Sequence, residues 1–96
     1  MKNREVVKVL EDIADFLELK GENVFKIRAY QKAARSIEEL SVDVGQLVSE
    51  NRVSEIPGAG EAIVKKLAEL VTTGKLAYYE KLKAELGKGE TVSPSL

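Results

Sequence analysis

Five consecutive residues, Ile56-Pro57-Gly58-Ala59-Gly60, have the types and order that expose backbone to a ligand. Pro57 fixes its own φ and discourages helix at Ile56. Gly58 and Gly60 permit positive φ and let a second backbone come close. An amphipathic stretch opens at Glu61, so the free N–H groups of a helix start follow directly on a glycine turn. That arrangement is an anion site, and a DNA phosphate suits it, although phosphate contacts carry no sequence information. The same five residues also make a plain tight turn between helices, and spacing alone does not separate the two. No strand precedes the Gly-x-Gly, so a dinucleotide fold is not indicated.

Side-chain chemistry is restricted. The 96 residues include no cysteine and no histidine. That excludes cysteine-type zinc sites, the usual transition-metal constellations, a thiol nucleophile and an imidazole base. Lysine, carboxylate, tyrosine and hydroxyl groups remain. The absence of disulfides fits a reducing compartment. The formal net charge is -1, unlike the strongly basic balance of many nucleic-acid-binding domains. Charge is nevertheless segregated. Val24 to Ile37 holds Lys26, Arg28, Lys32 and Arg35 with no acid, whereas Glu11, Asp12, Asp15 and Glu18 crowd an earlier segment. A local positive surface is compatible with that pattern. No run of eighteen apolar residues exists, and Met1-Lys2-Asn3-Arg4-Glu5 does not lead into a signal core. A cytoplasmic, nonmembrane location is expected, nucleoid-associated if the source is prokaryotic.

The elements that must position these groups are all helical. Val6, Leu10, Ile13 and Leu17 recur at helical spacing over residues 4–19, with Val9 and Phe16 widening the stripe. Gly21 stops this helix and Asn23 caps the next, whose face carries Tyr30, Ala33, Ala34 and Ile37. Asp43 and Gln46 resemble a capping box for a short third helix reaching about Glu50. A fourth runs from Glu61 to Thr73, with Ile63, Leu67, Leu70 and Val71 on one face, and Gly74 ends it. A last helix covers roughly Leu76 to Leu86, where Gly87 predicts a stop. Residues 87–96 are expected to be a disordered tail or linker stub. The predicted fold class is all-α: one domain, residues 1–86, a compact bundle of about five short helices.

Two separated motifs, in order, carry a family resemblance. Ile56-Pro57-Gly58-Ala59-Gly60 through Ile63, then Thr73-Gly74-Lys75-Leu76, resembles the helix-hairpin-helix of the amino-terminal, lyase-type domain of family X DNA polymerases. Asn23-Val24-Phe25-Lys26-Ile27-Arg28-Ala29-Tyr30-Gln31-Lys32-Ala33-Ala34-Arg35 resembles the second helix of that domain, in its bacterial and archaeal form. The resemblance implies DNA binding without sequence preference, at the 5′-phosphate side of a gap, as in base-excision-type repair. In some members a lysine amine also attacks the aldehyde of a 5′-deoxyribose phosphate, forms a Schiff base, and β-elimination follows.

Residue by residue, Lys66 matches that catalytic lysine, and Lys26 and Tyr30 match the phosphate pocket. Gly58, Ala59, Gly60, Lys65 and Lys75 complete the expected DNA-binding set. At about 100° per residue, Lys66 lies roughly 40° from Leu70, at the edge of the apolar stripe. A lysine at a core boundary loses hydration, and its pKa falls. Lys65 faces solvent. Lys26 and Tyr30 are four residues apart and share a face. Lys66 also reads as a snorkelling side chain, and Tyr30 as a core tyrosine with its hydroxyl at the surface. The resemblance further implies a monovalent cation, Na+ or K+, held by the backbone carbonyls of Ser54, Ile56 and Ala59; no cofactor is otherwise expected. Ser54 and Ala62 stand where lyase-active members have basic residues, and Phe25 where a histidine can occur. Ala59 and Val64 depart from the commonest hairpin pattern. The pocket is therefore less cationic than in those members, and a weaker grip orients the sugar less well.

The expected partner is gapped or 5′-phosphorylated DNA, with a polymerase catalytic domain in cis or trans. The paired aspartates of a nucleotidyl-transferase site have no second domain here to supply them, so the chain is expected to be part of a longer polymerase or a stand-alone copy. Two alternatives differ in class. One is a deoxyribose-phosphate or abasic-site lyase using Lys66. The other is a protein-interaction module seeded by an exposed Tyr78-Tyr79 pair, with Tyr79 also able to pack on the core.

Overall fold

A computed structural model describes residues 1–92, and side chains as far as Leu86. These residues form five α-helices and no strand: α1 (Asn3–Leu19), α2 (Val24–Glu38), α3 (Val44–Ser49), α4 (Glu61–Thr73) and α5 (Ala77–Val92). A single 3-10 turn, Val53–Glu55, precedes the proline-glycine turn. The expected all-α class is borne out.

Local chemistry sets most boundaries. Past α1, the Glu22 N–H reaches the Leu17 carbonyl and the Gly21 N–H that of Glu18, both at 3.0 Å, closing a Schellman motif. Asn23 Oδ1 accepts the Phe25 N–H at 2.7 Å and caps α2. Asp43 caps α3 by accepting the Gly45 N–H at 2.7 Å, but the expected capping box is only half made. Gln46 donates instead to the Glu50 carboxylate at 3.2 Å, because an ionised acceptor one turn ahead outcompetes a reach backwards. The Glu69 carboxylate accepts the Ala77 N–H at 2.8 Å, so a residue of α4 caps α5. Gly87 does not end α5, contrary to expectation, and the helix continues to Val92. An interior glycine costs a helix only about 1 kcal/mol relative to alanine, which weakens it without reversing the chain. Of the expected tail, residues 93–96 lie outside the described residues.

The helices enclose one apolar core. Val6, Leu10, Ile13 and Leu17 of α1 meet Ile27, Tyr30, Ala33, Ala34 and Ile37 of α2 in the most extensive helix pair. Val44, Leu47, Val53, Ile56, Ile63, Leu67 and Leu70 extend the core through the second half, and Leu76 and Leu82 close it. Tyr30 aside, no side chain with a polar or charged group is buried among the described residues. Two ties fix the helices in register. Asn3 donates to the Val42 carbonyl at 2.8 Å and accepts the Val44 N–H at 2.7 Å, joining the starts of α1 and α3. Tyr79 donates to Asp12 at 2.6 Å and stacks on Phe16, anchoring α5 on α1. Among the described residues no helix is long and apolar enough to cross a membrane.

Candidate functional site

The turn between the 3-10 segment and α4 is pinned to α2. Ser36 Oγ donates to the Pro57 carbonyl at 2.8 Å. Gly58 has φ +88°, and a Cβ there would lie 2.8 Å from Lys32 Cγ, so the stem of Lys32 occupies the space that only glycine leaves open. Gly60 differs from expectation. Its φ of -73° and ψ of 177° are extended backbone, not the positive-φ region, because it serves as the N-cap of α4. No side chain caps that helix. The first N–H with a partner is that of Val64, bonded to the Gly60 carbonyl at 2.9 Å. The N–H groups of Glu61, Ala62 and Ile63 have none among the described residues. Three unpaired donors at the positive end of a thirteen-residue helix attract an anion.

These donors border a groove of about 430 Å³ lined by Lys26, Ala29 and Tyr30 from α2, Gly58 and Gly60 from the turn, and Glu61, Ala62, Ile63 and Lys66 from α4. Tyr30 is 2% exposed, and its hydroxyl has no hydrogen-bond partner among the described residues yet is not sealed from solvent. It thus offers a polar atom at the groove. Burial, together with Tyr78, raises the pKa of Tyr30 well above the ordinary phenol value, so it remains a neutral donor. Lys26 is exposed and brings a basic side chain to the groove.

Lys66 is half-buried. Burial, and then the nearby charge of Lys26, lower its pKa, while Glu69 opposes them. A third neighbour also favours the cation: Lys66 Nζ lies 4.6 Å from the centroid of the Tyr78 ring, and Lys26 Nζ lies 5.7 Å from it. Tyr78 in turn stacks on Tyr30, with centroids 6.4 Å apart and planes 15° from parallel. Two lysines and two tyrosines therefore form one cluster, beside the free N–H groups of α4. Such a cluster can bind a phosphate through charge-assisted hydrogen bonds.

A model of the helix-hairpin-helix domain matches residues 1–76. The chain belongs to the helix-hairpin-helix domain family. Over 89 residues it is 32% identical to the DNA polymerase/3'-5' exonuclease PolX of Bacillus subtilis (strain 168), a match that takes in 93% of this chain but 15% of that protein. The family X resemblance carried by residues 23–35 and 56–76 is borne out by these likenesses.

Around the helix-hairpin-helix, the residues singled out in the sequence divide into two groups. Lys26, Tyr30, Gly58, Gly60 and Lys66 share the groove. Ala59, half-buried, packs on the core. Lys65 does not line the groove but pairs with Glu61, which does, at 3.6 Å, both side chains well exposed. Lys75 lies past the far end of α4, where its N–H and carbonyl both bond Thr73 Oγ1. Of the three candidate cation ligands, the Ile56 carbonyl accepts the Ala59 N–H at 3.0 Å, whereas those of Ser54 and Ala59 accept no hydrogen bond among the described residues. Tyr78 and Tyr79 are not an exposed pair. Each is half-buried, one in the lysine cluster and one on Asp12.

Sequence reasoning missed three contributors: Lys32, Ser36 and Tyr78. For the first two a signal existed. Ala29, Lys32 and Ser36 recur at three- and four-residue intervals on α2, a second stripe beside the apolar one. Tyr78 had none, because no periodicity links it across Gly74 to Lys66.

Proposed function

We propose that this helix-hairpin-helix domain binds DNA without sequence preference and grips the 5′-phosphate side of a gap in the groove between α2 and α4. Nucleic-acid binding rests on the domain family and on the family X relative. The gap-specific reading is supported chiefly by one observation: Lys26, Lys66, the Tyr30 hydroxyl and the free N–H groups of Glu61, Ala62 and Ile63 border the same groove. An internal phosphate diester carries one charge and is flanked by sugars on both sides. A terminal phosphate carries nearly two charges and can enter a groove end-on, so it uses these donors better. Affinity for continuous duplex is expected to be weak, on the order of 10⁻⁴ to 10⁻⁶ M, and salt-sensitive. The neutral carbonyls of Ser54, Ile56 and Ala59 are the donor type that takes Na+ or K+, and a cation held there would add positive charge beside the DNA backbone. The test is a titration with gapped duplex bearing a 5′-phosphate or a 5′-hydroxyl. Tighter binding of the phosphate, lost in Lys26→Glu, is expected; equal affinity for both, and for intact duplex, would refute the gap reading.

One observation favours a second activity on the same site. Burial and the charge of Lys26 lower the pKa of Lys66, which favours its neutral amine. A neutral amine is the nucleophile for an aldehyde. Lys66 Nζ would add to C1′ of a 5′-deoxyribose phosphate and water would leave to give the imine; loss of a C2′ proton to solvent and cleavage of the C3′–O3′ bond would then release the downstream strand with a 5′-phosphate, and water would hydrolyse the remaining imine to free the lysine. Borohydride would trap this Schiff base in the wild type and not in Lys66→Ala; a wild type that yields no adduct has no lyase activity.

A further inference from the structure

We propose that Tyr78 is a positioning residue: its ring holds the ammonium groups of Lys26 and Lys66 together as a single receptor for a terminal phosphate. The proposal rests on the phosphate reading above and adds the means by which two like charges are kept in one place. Lys26 and Lys66 come from different helices and repel each other. Free in water, two flexible lysines would splay apart and regain rotamer entropy. The ring face of Tyr78 attracts both, at 5.7 and 4.6 Å from its centroid.

The ring is itself immobilised. It stacks on Tyr30, which is 2% exposed. It also sits one residue after Ala77, whose N–H is held by Glu69 of α4 at 2.8 Å. The next residue, Tyr79, is anchored to Asp12. The start of α5 is thus fixed from α1, α2 and α4, and Tyr78 transmits that rigidity to the lysines. The charged and titratable groups around the pair are Tyr30 of α2, Glu61 and Glu69 of α4, and Tyr78 of α5. Of the two acids, Glu61 is exposed and drawn towards Lys65, and Glu69 is engaged with the Ala77 N–H. Glu69 favours the Lys66 cation through its charge, but neither acid forms an ion pair with Lys26 or Lys66, and the ring is the group in contact with both ammonium groups.

The experiment uses the whole chain with Tyr78→Phe and Tyr78→Leu. Phenylalanine keeps the π face and loses the hydroxyl; leucine keeps bulk and loses the face. Two readouts are followed: NMR of the lysine side chains in the free protein (the titration of Lys66 and the Hε shifts of Lys26), and the preference for 5′-phosphorylated over 5′-hydroxyl gapped duplex. In Tyr78→Leu the Lys66 side chain should lose its proton at lower pH than in wild type, the Lys26 Hε protons should lose their ring-current shift, and the phosphate preference should fall roughly two- to fivefold. Tyr78→Phe should restore each of these. Identical lysine titration in wild type and the leucine variant would overturn the proposal. A normal lysine response without any phosphate preference, in wild type included, would leave the clamp standing and sink the 5′-phosphate reading. Should Tyr78→Leu fail to fold, the wild type still decides. Ring-current shifts on the Lys26 and Lys66 Hε protons support the clamp, and random-coil shifts overturn it.

Discussion

Gly58→Ala and Gly60→Ala should have opposite consequences, although the two glycines flank a single alanine. At Gly58 the φ of +88° lies in the region that an L side chain adopts only at a cost of about 1–2 kcal/mol. The new Cβ would also fall 2.8 Å from Lys32 Cγ, 3.1 Å from its Cδ and 3.2 Å from its Cβ. The outer stem of Lys32 can swing away, but its Cβ is fixed to α2, so part of the clash persists. The smaller entropy of the unfolded alanine chain returns under about 1 kcal/mol. The net loss should be about 1–3 kcal/mol, at roughly 4–8 °C of Tm per kcal/mol for a domain of this size. At Gly60 the φ is -73° and no atom lies within 4 Å of a new Cβ. Gly60→Ala should therefore melt within about 0.5 kcal/mol of wild type. Its cost should appear in DNA binding, because the methyl group stands at the mouth of the N–H donors. Urea and thermal melts followed by circular dichroism test the stability half. A Lys32→Ala background should shrink the Gly58→Ala penalty, since it removes Cγ and Cδ while leaving the φ strain. A Gly58→Ala protein as stable as wild type would mean that neither the positive φ nor the Lys32 contact constrains the turn.

The other predictions concern electrostatics and packing. Burial pushes the Asp12 carboxyl up, but hydrogen bonds from Lys8 and Tyr79 prevail and hold it below its ordinary value. Its stabilisation is thus complete above about pH 4 and is lost as pH falls through the depressed pKa. Asp12→Asn should flatten that acid loss in a stability-versus-pH series, and Tyr79→Phe should cost about 1–2 kcal/mol at neutral pH. Lys66 has the opposite sign. Its lowered pKa means the folded state penalises the ammonium at neutral pH, and the penalty disappears as pH rises towards the ordinary lysine value of 10.5. Lys66→Met should therefore melt above wild type at pH 7, the gap closing in alkali. Leu67→Ala, at a fully buried position, should cost about 2–5 kcal/mol.

The helices were legible in the sequence because their signals are local. Apolar spacing in α1, α2 and α4, Asn23 before α2, and Gly21 and Gly74 after their helices each act within a turn or two of the backbone. Gly87 misled because glycine weakens a helix without compelling it to end. Gln46 misled because a capping box competes with any better acceptor in reach. Gly60 shows that a glycine in a turn need not take up positive φ. Its value is the absence of a side chain in front of free N–H groups. The site was half legible. Lys26 and Tyr30 share a helix face, and Lys66 sits at a core edge, both visible from periodicity. The ring that unites them is not, since Tyr78 reaches the lysines only after α5 folds back across α1.

The proposed occupant of the groove between α2 and α4 is a DNA 5′-phosphate. Backbone amide and lysine side-chain shifts of the isotope-labelled protein, followed during titration with gapped duplex, put that proposal to the test. With a 5′-phosphate, the largest changes should fall on the amides of Glu61, Ala62 and Ile63 and on Lys26, Tyr30 and Lys66. The opposite surface around Asp15 and Glu38 should stay still, and a 5′-hydroxyl should sharply reduce the response. Changes centred elsewhere, or the same changes with either 5′ end, would contradict it.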